Sequence, residues 1–506
     1  MNSALYIGAS GMVGLSQGMN VITNNVANVS TIAFKKQDIQ YSDLIYTTQA
    51  HMGDWWLSQG DSRVAVGQLG HGLQVETVRT IHEQGGMQSS NTVWDMAING
   101  KGFFQVSGNK AELFYTRAGD FRPDNEGVLR MPEGYALNGY KYNDDGTKGA
   151  LGEVKIDKFA TLPAKATSKV NLRLNLGLEY DKASDAANPY FSLLDLYDAT
   201  GSPPIPDTAS GWVQPITLYG ANGEAKNATI YFDKAPGTPP DSRVEYVITE
   251  EVPREDPTAD PPVPAPATGA GLLMSGTLTF SGSGQLKDMS AFTPSVAGSK
   301  LLTDWVPSAM VGGLPQMMLG DGTAMTVNFG ITAAGGWKNA PANAAAVGTD
   351  PTLLPSMGAN AVTALDATTA NGTTPALLLS EQDGYAEGLL NNIAINADGT
   401  VVGHFSNNQS KALWQIPICR FTSEYNLRRG GNNLFIATPE AGQMEMGVAG
   451  SENYGEVMAY NIELSNVDMA AEMVNMIITQ RGFQSNSKVV TTADQMLQKA
   501  MELKRS

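Results

Sequence analysis

The first 34 residues of this 506-residue chain contain no Asp, Glu, Lys, Arg or His. Charge is thin elsewhere too: Asp, Glu, Lys and Arg make up 16 % of the residues, against about a quarter in ordinary globular domains. There is one cysteine and there are four histidines. A lone Cys419 excludes a disulfide within the chain, and its setting in WQIPICRF reads as that of a small buried hydrophobe. No run of 18 or more apolar residues occurs, so no segment reads as a membrane-spanning helix. No positive charge precedes Lys35 and polar residues break every apolar block near the start. The N-terminus therefore does not read as a cleavable secretory signal, and export without such cleavage is expected. A net charge of −17 without a basic stripe argues against nucleic acid and anionic membranes as partners.

The usual marks of catalysis are missing as well. His51, His71, His82 and His404 are scattered, with no pair at a metal-ligand spacing. The stretch NADGT, residues 396–400, lacks the later ligands of a calcium loop and reads as a hairpin turn. NGKGFF, residues 99–104, lacks the strand–GxGxxG–helix context of a dinucleotide site, and no GxSxG, HExxH or Walker-type loop occurs. No catalytic, cofactor or metal residue is assigned, and the chain does not read as an enzyme.

What is present is periodicity at both ends. Leu5, Met12, Met19 and Val26 recur every seven residues. Leu15, Ile22 and Val29 follow three behind, with Gly8 at the head of that series. This is an apolar heptad seam, flanked by Ser, Gly, Gln and Asn instead of charge. Gly8, Gly11, Gly14 and Gly18 each cost about 1 kcal/mol of helix propensity relative to Ala, so the helix is expected to need partners. Near the other end, Leu464, Val467, Ala471, Val474 and Ile478 are spaced 3, 4, 3, 4. After a slip around GFQSNSK, Val490, Ala493, Leu497 and Ala500 resume the pattern. Ser465 or Asn466 is the expected N-cap, with Asp468 and Glu472 in the first turns. Two readings follow: a hairpin that closes the fold within one chain, or paired ends that pack on the same ends of other copies. Both ends are almost electrically neutral, so nearly all the negative charge lies between them.

The 54 glycines fall mostly in the middle, where short apolar runs alternate with turn dipeptides. Asn99-Gly100, Asn138-Gly139, Asp145-Gly146, Asn222-Gly223, Asp321-Gly322 and Asp398-Gly399 are read as hairpin signals, with FFQV, ATIYF, VEYVIT and GTLTF as strands. Six prolines in 253–266 predict a linker. Residues 333–376 read as an irregular excursion, and deleting part of 336–376 is expected to leave polymerisation possible while altering curvature or bending stiffness. The expected architecture is α+β: N- and C-terminal helices paired as a coiled-coil-like end, with several β-rich domains inserted in series. The expected boundaries are a terminal helical domain at 1–30 and 461–506, a linker region at 31–75 containing Trp55 and Trp56, an inner β domain at 76–160 and 381–460, and outer β-rich domains, two in number, at 161–380.

NNVANVSTIAFKK resembles the N-terminal signature of bacterial flagellar axial proteins of the rod and hook family, a pattern close to N-x-A-N-x-x-T-x-G-F-K. Asn25, Ala27, Asn28, Thr31, Phe34 and Lys35 match it, and Ala33 stands where glycine is usual. SNVDMAAEMVNMIITQRGFQSNSKVVTTADQMLQ is similar to the C-terminal signature. AINGKGFFQV, YTRAGDFRPDNEGVL and GNNLFIAT resemble the family's inner β domain. The length, and ADGTVVGHFSNNQSKALWQIPI, favour the hook members over the shorter rod members. The resemblance implies a structural subunit of a curved, flexible tube that transmits torque, with the terminal helices lining the inner tube. The implied interface residues are Leu5, Met12, Leu15, Met19, Ile22, Val26, Leu464, Val467, Ala471, Val474, Ile478, Val490, Ala493, Leu497 and Ala500. Asn25 and Asn28 are expected to bond local backbone and stop the first helix, and Phe34 to anchor the segment after it. Implied partners are copies of the chain itself, rod proteins at the base, hook–filament junction proteins and the hook cap at the tip, and the flagellar type III export apparatus. The implied location is extracellular, in the flagellum. A rigid rod subunit and a secreted β-rich adhesin are the alternatives; the long middle argues against the first and the seamed ends against the second.

Overall fold

A computed structural model describes residues 2–44, 47–49, 67–108, 112–179, 181–253, 264–358, 360–372 and 374–505. Trp55 and Trp56, His51 and most of the proline-rich 253–266 segment lie outside the described residues. The chain divides into two compact units, residues 1–160 with 390–506, and residues 161–389. Among the described residues no helix is long and apolar enough to cross a membrane.

The first unit holds two long helices, α1 (Asn2–Ala27) and α3 (Met469–Arg505), and a mainly antiparallel β body. The central sheet runs, in spatial order, Gly388–Ile395, Thr400–Phe405, Ser410–Gln415, Ala136–Tyr142, Phe104–Ser107, Leu113–Thr116, Leu434–Ile436 and Arg428–Gly431. It thus weaves strands from both halves of the sequence. Its core is built from Phe104, Phe121, Leu129, Leu137, Val154, Trp414, Ile416 and Ile418. A neighbouring cluster contains Phe103, Tyr115, Cys419, Phe421 and Phe435. Cys419 is fully buried and its thiol pKa is pushed up to about 12 by desolvation, so it is an inert packing group. The expected turn at Asn138-Gly139 is instead mid-strand, with Gly139 paired to Gly152. A Cβ there would stand 2.8 Å from Val154 and 3.0 Å from the Gln415 carbonyl; glycine serves close strand approach, not a reversal. Asp145-Gly146, Asp398-Gly399, Asn222-Gly223 and Asp321-Gly322 do sit in tight turns between paired strands.

The second unit is built on a six-stranded antiparallel meander from Trp212–Tyr219 to Trp305–Pro307. Its middle strands, Ser242–Glu250 and Leu272–Phe280, are buried along nearly their whole length. That is why VEYVIT and LLMSGTLTF read as runs and not as clean alternation. One face packs through Ile230, Tyr246 and Leu278 against Leu172, Leu174 and Val327 of a five-stranded sheet. The other face is covered by Tyr190–Ile205 and by Ala344, Val347 and Leu354. Residues 333–376 are irregular, with short helical turns and one two-stranded ladder. They still contribute to packing: Ala344, Val347, Leu354, Met357, Ala367 and Ala370 are all core residues. Deleting part of them would open that core, because small apolar residues supply packing even where the pattern is weak.

Glu245 is the most deeply buried of this unit's described acids, with Asp233 and Glu250 also buried. Its carboxylate accepts the backbone N–H of Ser192 at 3.1 Å and of Leu193 at 3.0 Å, supplying the cap that Phe191 cannot give to α2 (Ser192–Leu196). Burial pushes its pKa up from 4.5 to about 8. Because the folded pKa exceeds the unfolded one, the stabilisation is complete below pH 4.5 and is lost as pH rises through about 8, at up to about 1.4 kcal/mol per pH unit. Denaturant unfolding of the full chain is expected to show the 161–389 unit weakening from pH 5 to pH 8. Glu245→Gln is expected to flatten that dependence. An unchanged slope in the variant would locate the titration elsewhere.

Candidate assembly surface

The two ends of the chain form an antiparallel helical hairpin, with Gly8 against Val490, Gly11 against Asn486, Leu15 against Gly482 and Asn25 against Glu472. The buried positions of α1 are Gly8, Gly11, Gly14, Gly18, Ile22 and Asn25. The glycines that weaken the helix are thus its contact stripe. A Cβ on Gly8 would stand 2.7 Å from Val490, and one on Gly11 2.8 Å from the Asn486 amide. Gly14 and Gly18 leave room for Leu73 and Tyr41, from the antiparallel strand pair Gln37–Asp43 and Leu73–Thr80. The helix needs these four gaps to lie against two neighbours at once, which offsets their cost in propensity. Of the expected seam, Ile22 is buried, whereas Leu5, Met12, Leu15, Met19 and Val26 are half-buried along the edges of this stripe.

At the other end the register differs from the expected one. α3 starts at Met469, capped by Asp468, whose carboxylate accepts the N–H groups of Ala470 at 2.9 Å and Ala471 at 3.2 Å. Ser465 and Asn466 are not the cap. Leu464 and Val467 precede the helix, so they are not part of a helical seam. The helix is unbroken through GFQSNSK. Its face toward α1 carries Glu472, Met476, Thr479, Gly482, Asn486, Val490, Ala493 and Leu497, all buried or half-buried. Ala471, Val474, Ile478 and Ala500 point elsewhere and are exposed. The most apolar stripe is therefore not the one used inside the subunit: close approach to glycines favours small and polar residues.

Several large apolar side chains remain outside, among polar and charged ones such as Arg481, Lys488 and Asp494. Met469, Met473 and Ile477 lie in one row along α3, with Val474 and Ile478 one position round; Ile478 is 62 % exposed. Phe483, Val489, Met496 and Met501 are further exposed apolar residues toward the C-terminus, on more than one side of the helix. On α1 the exposed face shows Tyr6, Val13 and uncharged small or amide side chains. A row of exposed apolar side chains such as Met469, Met473 and Ile477 marks a candidate contact site.

The signature residues build the junction between this hairpin and the β body. Asn25 is buried and bridges to Gln37 in both directions, its Nδ2 donating to the carbonyl at 2.8 Å and its Oδ1 accepting the N–H at 2.9 Å. It therefore fastens α1 to the next strand instead of bonding local backbone. Asn28 does act locally, donating to the Asn24 carbonyl at 2.8 Å and accepting from the Thr31 hydroxyl at 3.1 Å. Ala27 closes α1. Ala33 keeps the left-handed conformation that the usual glycine would take, with φ 54°, at a backbone cost of about 1–2 kcal/mol. Its N–H donates to the Glu463 carbonyl at 2.8 Å. Phe34 is buried beneath the Arg429 guanidinium, 4.8 Å from its ring centre, and Arg429 also donates to the Lys35 carbonyl.

Lys35 is fully buried, with its ammonium 2.5 Å from the equally buried carboxylate of Glu463 and 2.7 Å from the Glu83 carbonyl. Burial pulls its pKa below the ordinary lysine value, against the opposing pull of Glu463. Glu463 also meets Arg117 at 3.4 Å and the Gly85 N–H at 2.9 Å. Nearby, His82 packs on Phe103 and Phe435. Burial, with Lys35, Arg117 and Arg429 around it, holds its pKa down at about 3. Asn466 completes the knot, accepting the Lys36 N–H at 2.7 Å and donating to the carbonyls of Ile81 and Glu83. Sequence reasoning missed Glu463, Arg117 and Arg429, because nothing local announces a partner several hundred residues away.

Removing one member of a buried ion pair strands the other charge, at on the order of 3–5 kcal/mol. Glu463→Gln is thus expected to lower the unfolding transition of the 1–160/390–506 unit by that amount and to leave the 161–389 unit unchanged. Adding Lys35→Met is expected to recover part of the loss. Denaturant titration followed by hydrogen exchange resolves the two units; equal loss in both would refute a latch local to the first.

Comparison with known proteins agrees with this geometry. The Flagella basal body rod protein model matches residues 5–35, and the Flagellar basal body rod FlgEFG protein C-terminal model matches 458–503. Between them, the Flagellar hook protein FlgE/F/G D1 domain model covers 97–171 and the Flagellar basal body protein FlaE D2 domain model 192–385. The chain is 28 % identical to the flagellar hook protein FlgE of Borreliella burgdorferi and 27 % identical to that of Treponema pallidum, in each case over 100 % of both chains. It is 27 % identical to the flagellar hook protein FlgE of Salmonella typhimurium over 98 % of each. With helical ends, inner body and long inserted unit all matched in order, the chain belongs to the flagellar hook protein family.

Proposed function

We propose that this hook structural subunit polymerises through the outward faces of its terminal hairpin. α1 and α3 act as a coiled-coil-like pair that lines the inner tube, and the β units form the layers outside it. The observation that carries this reading is the exposed apolar surface of α3 beside an α1 face without a single charge. A subunit meant to remain alone would cover such a surface with Lys and Glu. Buried between subunits, each uncharged position avoids the desolvation cost that a carboxylate or ammonium would bring. The residues proposed to meet neighbouring copies are Val474, Ile478, Ala471 and Ala500, with Leu5, Met12, Met19 and Val26 at the hairpin edge. Ile22, Leu15, Val490, Ala493 and Leu497 act indirectly, by holding α1 and α3 together.

In this reading the tube bends while it rotates, transmitting torque from rod to filament. The inner tube is held by dry helix contacts. The acidic middle of the chain stays solvated and slides on polar, exchangeable contacts. Rod proteins at its base, the junction proteins and cap at its tip, and the type III export apparatus are its partners, and the chain is exported to the cell exterior without cleavage of a signal peptide. No residue is proposed to act catalytically or to hold a cofactor.

Ile478 is the sharper probe than Leu497, since Leu497 is already half-buried within the subunit. Ile478→Asp is expected to leave the melting of both β units unchanged, because the side chain touches neither. It is expected to block elongation, because the carboxylate would be repeatedly buried in apolar contacts along the polymer. Electron microscopy and sedimentation of purified full-length chain read the outcome, and cells carrying only this variant are expected to be non-motile. Normal tubes from Ile478→Asp subunits would remove this face from the interface.

A further inference from the structure

The apolar surface of α3 is unusually rich in one side chain. Met469 is 47 % exposed, Met473 44 %, Met496 59 % and Met501 62 %. Seven methionines of the β units, Met96, Met131, Met274, Met289, Met317, Met325 and Met357, are by contrast no more than 4 % exposed. Leucine has nearly the same helix propensity and apolar area, so neither the helix nor the burial requires methionine. Its pliable thioether suits a surface that must repack as subunits shift, and it brings a liability with it.

We propose that these four methionines are oxidation sites that gate assembly: a peroxide-treated subunit stays folded but loses the ability to join the polymer. A thioether sulfur attacks one oxygen of the peroxide, an S–O bond forms as the O–O bond breaks, and water leaves. The sulfur is oxidised by two electrons and the peroxide reduced by two. The product sulfoxide is a strong acceptor on a side chain that offers no donor. Placed between apolar helix faces it has no partner, and its lost hydration opposes association. Met469 and Met473, one turn apart beside Ile477, would put two such groups into one contact. The same chemistry works in only one direction of time. In a free subunit the four side chains meet solvent, whereas in the tube they are covered, so oxidation acts before incorporation and not after it.

The inference rests on the assembly reading given above, and its test separates the two. Full-length chain and a Met469→Leu/Met473→Leu/Met496→Leu/Met501→Leu variant are each treated with hydrogen peroxide or left untreated. Sulfoxide is located by peptide mass spectrometry, folding is followed by thermal melting, and tubes are counted by sedimentation and electron microscopy. Untreated samples of both proteins are expected to form tubes. Oxidised wild type is expected to melt as before yet to need at least about tenfold more protein to polymerise, about 1.4 kcal/mol per subunit joined. The oxidised variant is expected to assemble normally, although it keeps exposed Met318 and Met458 and half-buried Met12 and Met19 open to the peroxide. Preformed tubes are expected to resist oxidation at the four positions. Oxidised wild type that polymerises normally, or an oxidised variant that fails as wild type does, would overturn the proposal. Ready oxidation of the four sites inside intact tubes would instead count against the assembly reading.

Discussion

The carboxylate of Glu463 is the point on which the inner unit closes. It takes one ammonium, one guanidinium and one backbone N–H, while its own carbonyl receives Ala33. Lys35 leads directly back to α1 and Glu463 directly on to α3, so this ion cluster sets where both helices leave the β body. Its members are desolvated, which makes each worthless without the others. Such a cluster specifies one arrangement of the chain ends in preference to merely strengthening it. Asn25, Asn433 and Asn466 add amide bridges around the same junction, so the root of the hairpin is held by polar contacts while its length is held by packing.

Along that length, two demands on the same helices are met by different faces. The inner face of the hairpin is small: Gly8 and Gly11 on α1 meet Val490 and Asn486 on α3, and Gly482 on α3 meets Leu15. Small side chains allow close backbone approach and leave the large apolar residues for the outside. Because the subunit spends little of its apolar surface on its own closure, Val474, Ile477 and Ile478 stay open for neighbours. An ordinary two-helix hairpin would do the reverse. The second unit obeys a more familiar rule, with its meander buried on both faces and the buried carboxyl of Glu245 hydrogen-bonded by the start of α2.

Much of this organisation was readable in the residues. The charge-free start, the heptad spacing, the turn dipeptides and the single buried cysteine each follow from local chemistry, and the described elements agree with most of them. The family signature pointed to Asn25, Phe34 and Lys35, all of which are buried at the junction. The misreadings share one cause. Asn138-Gly139 looked like a turn, Ser465 or Asn466 looked like the cap of the last helix, and GFQSNSK looked like a slip in its pattern. In each case local composition was right, and the partner that decided its meaning lay far along the chain.

The sequence by itself determined that both ends are helical, that both are close to net neutral, and that the middle is β-rich and acidic. Those properties depend on spacing and composition over a few turns or strands, where interactions are local. Only the tertiary structure decided which helix face turns inward, that Lys35 and Arg117 both meet Glu463, and that Ala33 holds a left-handed turn with its methyl buried. Pairing between residues more than 400 positions apart leaves no periodic trace in a single sequence. It arises when the β body brings the two ends together and desolvation then selects the one arrangement that pairs every buried charge.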